Sequence, residues 1–170
     1  ATWIVRAGSE DQYLDECLNS GVVAIGWKEV RGQILIKDAE FNYIYHKLQE
    51  IYSAEATTHQ GAYTSQIHAF ANKIYGGDFV LIPSGKGKRI SIGYLLGETD
   101  QEPSNESLLA TRKVLWLVKE AERQEFLDQV KGTSAFENPR TVIQTAINHH
   151  DVRKYVEKKT ASNFWQLLGS

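Results

Sequence analysis

The first 27 residues, ATWIVRAGSEDQYLDECLNSGVVAIGW, constrain this chain more than any other stretch. Trp3-Ile4-Val5 is a short β-branched and aromatic run of the kind that forms strands, and Gly8 punctuates its end. Ser9 precedes Glu10, Asp11 and Gln12, an order that predicts a helix N-cap followed by acidic first-turn residues. Tyr13, Leu14, Cys17 and Leu18 recur at helical spacing, and Gly21 closes the helix. Val22-Val23-Ala24-Ile25 then predicts a buried strand, ending at Gly26 and the large ring of Trp27. Strand, turn, helix and strand in 27 residues bring two strand ends and a helix start together. A small domain commonly keeps a pocket at such a place.

The rest of the chain is read in order. Lys28 to Lys37 is turn-rich, and Asp38 is positioned to cap a helix whose apolar stripe is Phe41, Ile44, Tyr45, Leu48, Ile51 and Tyr52. A polar loop over 54–61 leads to a helix near Thr64 to Tyr75 with Ile67, Phe70, Ala71 and Ile74 on its apolar face. Phe79-Val80-Leu81-Ile82 and Ile90 to Leu96 predict a β-hairpin around the basic turn Ser84 to Arg89. The acidic stretch from Gly97 to Leu109 is expected to be a mobile loop, and Arg112 to Val118 a further strand. Short helices are expected over Glu122–Val130 and Asp151–Lys159, with another short element at Thr141–Asn148. Phe164, Trp165, Leu167 and Leu168 either pack back on the domain or mark where a longer chain continues. Helices come early and strands late, which predicts an α+β fold: a curved mixed sheet or small barrel surrounded by helices.

Composition narrows the function classes. At 170 residues one domain with a sizeable core is expected. No apolar run approaches the roughly 20 residues of a membrane span, so no membrane partner is expected. Cys17 is the single cysteine and sits on an apolar helix face, which suggests a buried thiol and a reducing, cytoplasmic setting. The absence of methionine suggests that the natural start is missing or was processed. A net charge of −2 provides no broad positive field, so any nucleic-acid binding must rest on a local patch or a selective pocket.

Catalytic patterns are lacking. Gly85-Lys86-Gly87-Lys88 lacks the spacing of a phosphate loop and lies between two strands. His149-His150-Asp151 has no partner ligands at metal-site spacing, and no serine sits in a Gly-x-Ser-x-Gly elbow. No enzyme, metal or cofactor is expected.

Binding chemistry is better represented. The turn Arg6 to Ser9 with Asp11, the pair Gly26-Trp27, and the polar residues Ser65 and Gln66 could converge on one place. An aromatic plane beside hydrogen-bonding groups suits a flat heterocycle, because stacking contributes roughly 1–3 kcal/mol per base. The alternative is that Trp27 is a core or rim aromatic and Ser9 only a cap. Lys86, Lys88, Arg89, Arg112 and Lys113 form a candidate phosphate track, to which Lys73 on the preceding helix is added; a solubilising strand edge explains the hairpin cations equally well.

Four segments carry a family resemblance: Trp-Ile-Val-Arg-Ala-Gly at 3–8, Gly-Val-Val-Ala-Ile-Gly-Trp at 21–27, Gly-Gly-Asp-Phe-Val at 76–80 and Ile-Gly-Tyr at 92–94. Together they resemble the N-terminal domain of Mrr-like and McrB-like modification-dependent restriction proteins, within the PUA/EVE/YTH-like group that holds flipped, often methylated bases. The resemblance spans roughly residues 2 to 120. It implies that Trp27 is a wall of a base cage, that Ser9 and Asp11 touch the base edge, and that Arg6 lies near a phosphate. YTH readers take a second cage tryptophan from the loop before the late strand, and no tryptophan lies between Gly97 and Thr111 here. Tyr94, Tyr63 or another aromatic must then close the cage.

These expectations combine into one reading. Residues 1–120 form a base-binding core, and 121–170 a helical extension that packs on it or leads to an effector. The partner is DNA carrying 5-methylcytosine or N6-methyladenine, and the effector a nuclease or NTPase in a longer chain. The alternatives are an RNA-binding module of the same fold, or a small-molecule or protein-interaction sensor.

Overall fold

The computed structural model describes residues 1–53 and 57–169. Its centre is one six-stranded mixed sheet, built from β1 (Thr2–Val5), β2 (Val22–Ile25), β3 (Phe79–Ser84), β4 (Arg89–Asp100), β5 (Ala110–Glu122) and β6 (Val142–Gln144). The strand order is β2-β5-β4-β3-β1-β6. β1 and β3 run parallel, and every other neighbouring pair is antiparallel. Among the described residues, six α-helices surround it: α1 (Leu14–Ser20), α2 (Phe41–Ile51), α3 (Thr57–Asn72), α4 (Arg123–Leu127), α5 (His149–Thr160) and α6 (Phe164–Gly169). The α+β class expected from the element order is observed.

Two cores lie on opposite faces of this sheet. Trp3, Val5, Val80 and Ile82 point to the first, where α1, α2 and α3 contribute Cys17, Ile44, Leu48, Ile67 and Phe70. Ile4, Phe79 and Leu81 point to the second, with Phe126, Val152, Tyr155, Val156 and Phe164 from α4, α5 and α6. Successive strand side chains alternate faces. A continuous apolar run such as Phe79–Ile82 therefore signals a strand covered on both sides.

The tail is part of this architecture. β6 pairs with β1 at the sheet edge, and Phe164 is buried against the second core. The boundary expected at residue 120 falls inside β5.

Several local expectations are corrected. Ser9 does not cap α1: residues Ser9–Asp11 form a separate 3-10 turn, and α1 begins only at Leu14. Glu10 (φ 52°) and Asp11 (φ 59°) take left-handed backbone values that interrupt the helical path. Asp38 likewise stands outside α2, at φ 61°, with its N–H donating to Asn72 Oδ1 at 2.7 Å. α3 starts earlier than expected, at Thr57; of the expected 54–61 loop, 54–56 lie outside the described residues.

The stretch from Gly97 to Leu109 is not a free loop. β4 continues to Asp100, and Pro103, Leu108 and Leu109 are buried. The Arg31 guanidinium donates to the carbonyls of Pro103, Asn105 and Leu108, at 2.7, 2.6 and 3.1 Å. Gln101 Oε1 accepts from the N–H groups of Ile36 and Lys37. Backbone groups satisfied in this way hold a segment that its acidic composition alone would leave loose.

Candidate functional site

Gly8 is the pivot of the site. Its φ of 81° and ψ of 179° lie in a region open essentially to glycine alone. A Cβ there would stand 2.7 Å from Cδ2 of Tyr13, so the turn can press against that ring only because glycine has no side chain. Tyr13 N–H donates to the Ala7 carbonyl at 2.7 Å, which closes the turn and aims the ring across it.

Beside this turn lies a cavity of about 200 Å³ lined by Gly8, Ser9, Gln12, Tyr13, Gly26, Trp27 and Thr141. It is smaller than the roughly 300 Å³ at which pockets for drug-sized ligands begin, and suits a single heterocycle. Trp27 reaches it from the end of β2 with φ 46° and ψ 48°, a left-handed conformation uncommon for a bulky residue. Its ring is half-buried and packs edge-on to Tyr63 at 5.7 Å. Tyr63 meets Tyr52 at the same distance, so an aromatic row backs the indole.

The tryptophans differ in how their N–H groups are used. Trp3 Nε1 donates to Asp78 Oδ2 at 3.1 Å, and Trp116 Nε1 to the Cys17 carbonyl at 2.9 Å. Among the described residues, the Trp27 indole N–H and the Ser9 hydroxyl have no hydrogen-bond partner. Both belong to residues that line the cavity. An aromatic wall with spare polar groups can stack on a flat ring and bond its edge.

Other expected site residues have different positions. Gln66 is buried, and its Oε1 accepts from the N–H groups of Thr141 (2.7 Å) and Val142 (3.1 Å). It holds a cavity wall in place instead of facing the cavity. Ser65 and Lys73 are exposed on or beside α3 and do not line the cavity. Tyr94 lies on the opposite face of the sheet, against Phe79 and Phe164. Asp11 turns away from the cleft toward the hairpin, where its Oδ2 accepts from Gly85 N–H at 2.8 Å.

The basic residues do not form one track. Arg112 is 6% exposed, and its guanidinium donates to the carbonyls of Phe70, Ile74 and Gly97. Burial lowers its pKa from the usual arginine value, while Asp78 and Glu98 act in the opposite direction. Lys113 is exposed opposite Val22, whereas Arg89 is paired with Glu122 in the β4–β5 register. Those two β5 positions are nine steps apart, roughly 30 Å of extended strand. Lys86, Lys88 and Arg89 are exposed on the hairpin. Arg6 is half-buried, and one nitrogen donates to the carbonyls of Phe136 (3.1 Å) and Asn138 (2.6 Å).

Sequence reasoning missed Tyr13, Gln12 and Thr141 as cavity residues. Tyr13 fits the helical apolar stripe, which conceals its second role. Thr141 comes from the far end of the chain, and no local signal could place it beside Gly8. Cys17 is buried; burial and then the neighbouring Glu16 push its thiol up to about 12, so it is no nucleophile. Among the described residues, no group of three or more His, Cys, Asp or Glu side chains could hold a metal ion. No helix among them is long and apolar enough to cross a membrane.

A family model described as Domain of unknown function (DUF8426) matches residues 3–144. The chain belongs to that family. The match includes Gly8, Tyr13, Trp27 and Thr141, and so the whole cavity lies within the DUF8426 region. No curated protein matches the sequence. Among solved structures, the chain is similar to the YTH domain of the MRB1 protein of Zygosaccharomyces rouxii, described in complex with N6-methyladenosine RNA. The TM-score is 0.46 at 12% identity, covering 92% of this chain and 82% of that one. A likeness of this size leaves the function to be argued from the site's own chemistry.

Proposed function

We propose that this domain reads a modified base in DNA, holding the flipped base in the cleft between Trp27 and Tyr13. The observation that carries the reading is that cleft: two aromatic rings, an unpartnered indole N–H and the free Ser9 hydroxyl around a cavity sized for one heterocycle. Flipping costs a few kcal/mol, which stacking and edge hydrogen bonds must offset. Such a pocket lets a domain of net charge −2 select its target without a broad positive field. The sequence resemblance to PUA/EVE/YTH-like domains supports the same reading. It also suggests a sensor role in a modification-dependent restriction system, with a nuclease or NTPase effector supplying the chemistry.

The test is binding to duplexes carrying one N6-methyladenine or 5-methylcytosine against the unmodified duplex, with single-stranded RNA carrying N6-methyladenine as a further arm. Methylation should tighten binding, and Trp27→Ala should cost about 1–3 kcal/mol, roughly five- to 150-fold, on the modified duplex. Equal affinity for methylated and unmodified nucleic acid would sink the reading. Preference for the RNA arm would move it to an RNA-binding module.

A further inference from the structure

A second cavity, of about 610 Å³, lies on the other side of the Gly8 turn. Gly8 lines both, so the two spaces are separated by little more than one backbone turn. The chemistry of the second differs. Its lining includes Arg6, Lys86 and Arg123, the carboxylates Glu10 and Asp11, and Ser84.

Three features point to an anion. First, among the described residues none of the three cations is in an ion pair, although two carboxylates line the same space. Asp11 uses its Oδ2 on Gly85 N–H. Second, the arginines are placed by groups other than acids. Arg6 donates to the Phe136 and Asn138 carbonyls, while the Arg123 guanidinium stands 5.0 Å from the Phe136 ring centre. They flank one residue closely enough that the positive charge of Arg123 lowers the Arg6 pKa, after burial as the larger cause. Third, Ser84 is 3% exposed and, among the described residues, its hydroxyl has no hydrogen-bond partner. A buried hydroxyl without a partner carries a desolvation cost that a ligand oxygen would relieve.

The hairpin is shaped to keep this space open. Gly85, Lys86 and Gly87 all have positive φ, at 60°, 56° and 82°. Gly87 N–H donates to the Ser84 carbonyl and Lys88 N–H to the Gly85 carbonyl, which coils the turn back over the cavity. The Arg123 guanidinium lies beside Gly87, whose φ of 82° favours glycine at that place in the turn.

We infer that this cavity is a phosphate subsite, in which Arg123, Arg6, Lys86 and the Ser84 hydroxyl hold a backbone phosphodiester next to the base in the Trp27–Tyr13 cleft. This rests on the proposed reader function and adds to it two residues, Arg123 and Ser84, for which the cleft alone has no use. Guanidinium forks suit phosphate oxygens, and a contact of this kind fixes register without reading sequence.

The experiment uses the full chain and a duplex with one methylated base, measured over a series of salt concentrations. Arg123→Gln should weaken binding about tenfold and reduce the salt slope by about one, leaving the ratio of methylated to unmodified affinity unchanged. Arg123→Lys should recover part of the affinity by keeping the charge. A neutral methylphosphonate linkage, walked along the strand on either side of the modified base, should weaken the wild type at one position and the Arg123→Gln protein little there. Lys86→Gln, at an exposed turn, supplies the same comparison should Arg123→Gln fail to fold. The subsite is overturned if the linkage penalties are the same in the wild type and in the folded variant, or if the wild type binds neither duplex. Loss of methylation preference with the linkage effect intact would overturn the base reading and leave the phosphate site standing.

Discussion

Two aromatic clusters occupy opposite faces of the sheet, and only one of them leaves room for a ligand. On the α5–α6 side, Phe79, Tyr94 and Phe164 meet edge to face at 5.7–6.0 Å, and His149 stacks on Phe79 at 4.4 Å. Phe79 is fully buried and Phe164 nearly so, as expected of a closed core. On the α1–α3 side, Trp27 and Tyr13 are half-buried and line an open cavity together with Gly8 and Gly26. Both clusters contain large rings. At the open cluster, Gly8 and Gly26 line the cavity and add no side chains to fill it. Aromatic content therefore says little about a site; the backbone between the rings decides whether they form a core or a cleft.

That contrast can be broken from either side. Phe79→Ala removes a fully buried ring and should destabilise the fold by about 3–5 kcal/mol, as read by denaturant unfolding. Its effect on binding should be confined to the unfolded fraction. A loss of methylation selectivity in the folded protein would erase the distinction between the two clusters. Gly8→Ala is the complementary substitution. It places a methyl 2.7 Å from the Tyr13 ring and forces an L residue into glycine-only backbone, at a cost of about 1–3 kcal/mol. Binding of the methylated duplex should fall more than stability alone explains, because the ring that moves is a wall of the cleft. Full retention of binding would mean that Tyr13 is not that wall.

The smallest expected effect concerns pH. His68 packs edge-on to Phe41 at 5.9 Å, and its pKa is lowered from 6.5 by burial first and by Lys73 second. Its neutral form is favoured in the folded state, so the unfolded chain takes up the proton first. The stability it contributes is whole above pH 6.5 and is lost as pH falls through the depressed folded value. His68→Gln should therefore narrow the difference in Tm between pH 7.5 and 5.5 by a small amount. An unchanged difference would assign the acid sensitivity to other groups.

Much of the frame was legible because it rests on local periodicity. Val22–Ile25 and Phe79–Ile82 are unbroken apolar runs, and both are strands. The stripe from Phe41 to Tyr52 marks α2, although Phe41 is exposed and Ile44 and Leu48 supply its buried face. Ends were less legible: Ser9 and Asp38 have the chemistry of N-caps, yet left-handed residues at Glu10, Asp11 and Asp38 itself move the helix starts downstream. The roles of polar residues were the least legible. Arg112 was expected in a phosphate track and Gln66 beside the base, and each instead satisfies backbone atoms from distant segments.

By itself the sequence determined the α+β class, the sheet-forming runs, and the pairing of a glycine turn with a tryptophan at the end of the second strand. Those follow from side-chain periodicity and backbone preference, which act over a few residues. Only the tertiary structure decided that Tyr13 lines the same cavity as Trp27, that Thr141 joins them from 114 residues downstream of Trp27, and that Arg123 joins Arg6 at the hairpin cavity. Each of these depends on which strand lies beside which and on which face a residue falls. A shift of one position along a strand reverses that face, and short-range pattern carries no information about the partner on the other side.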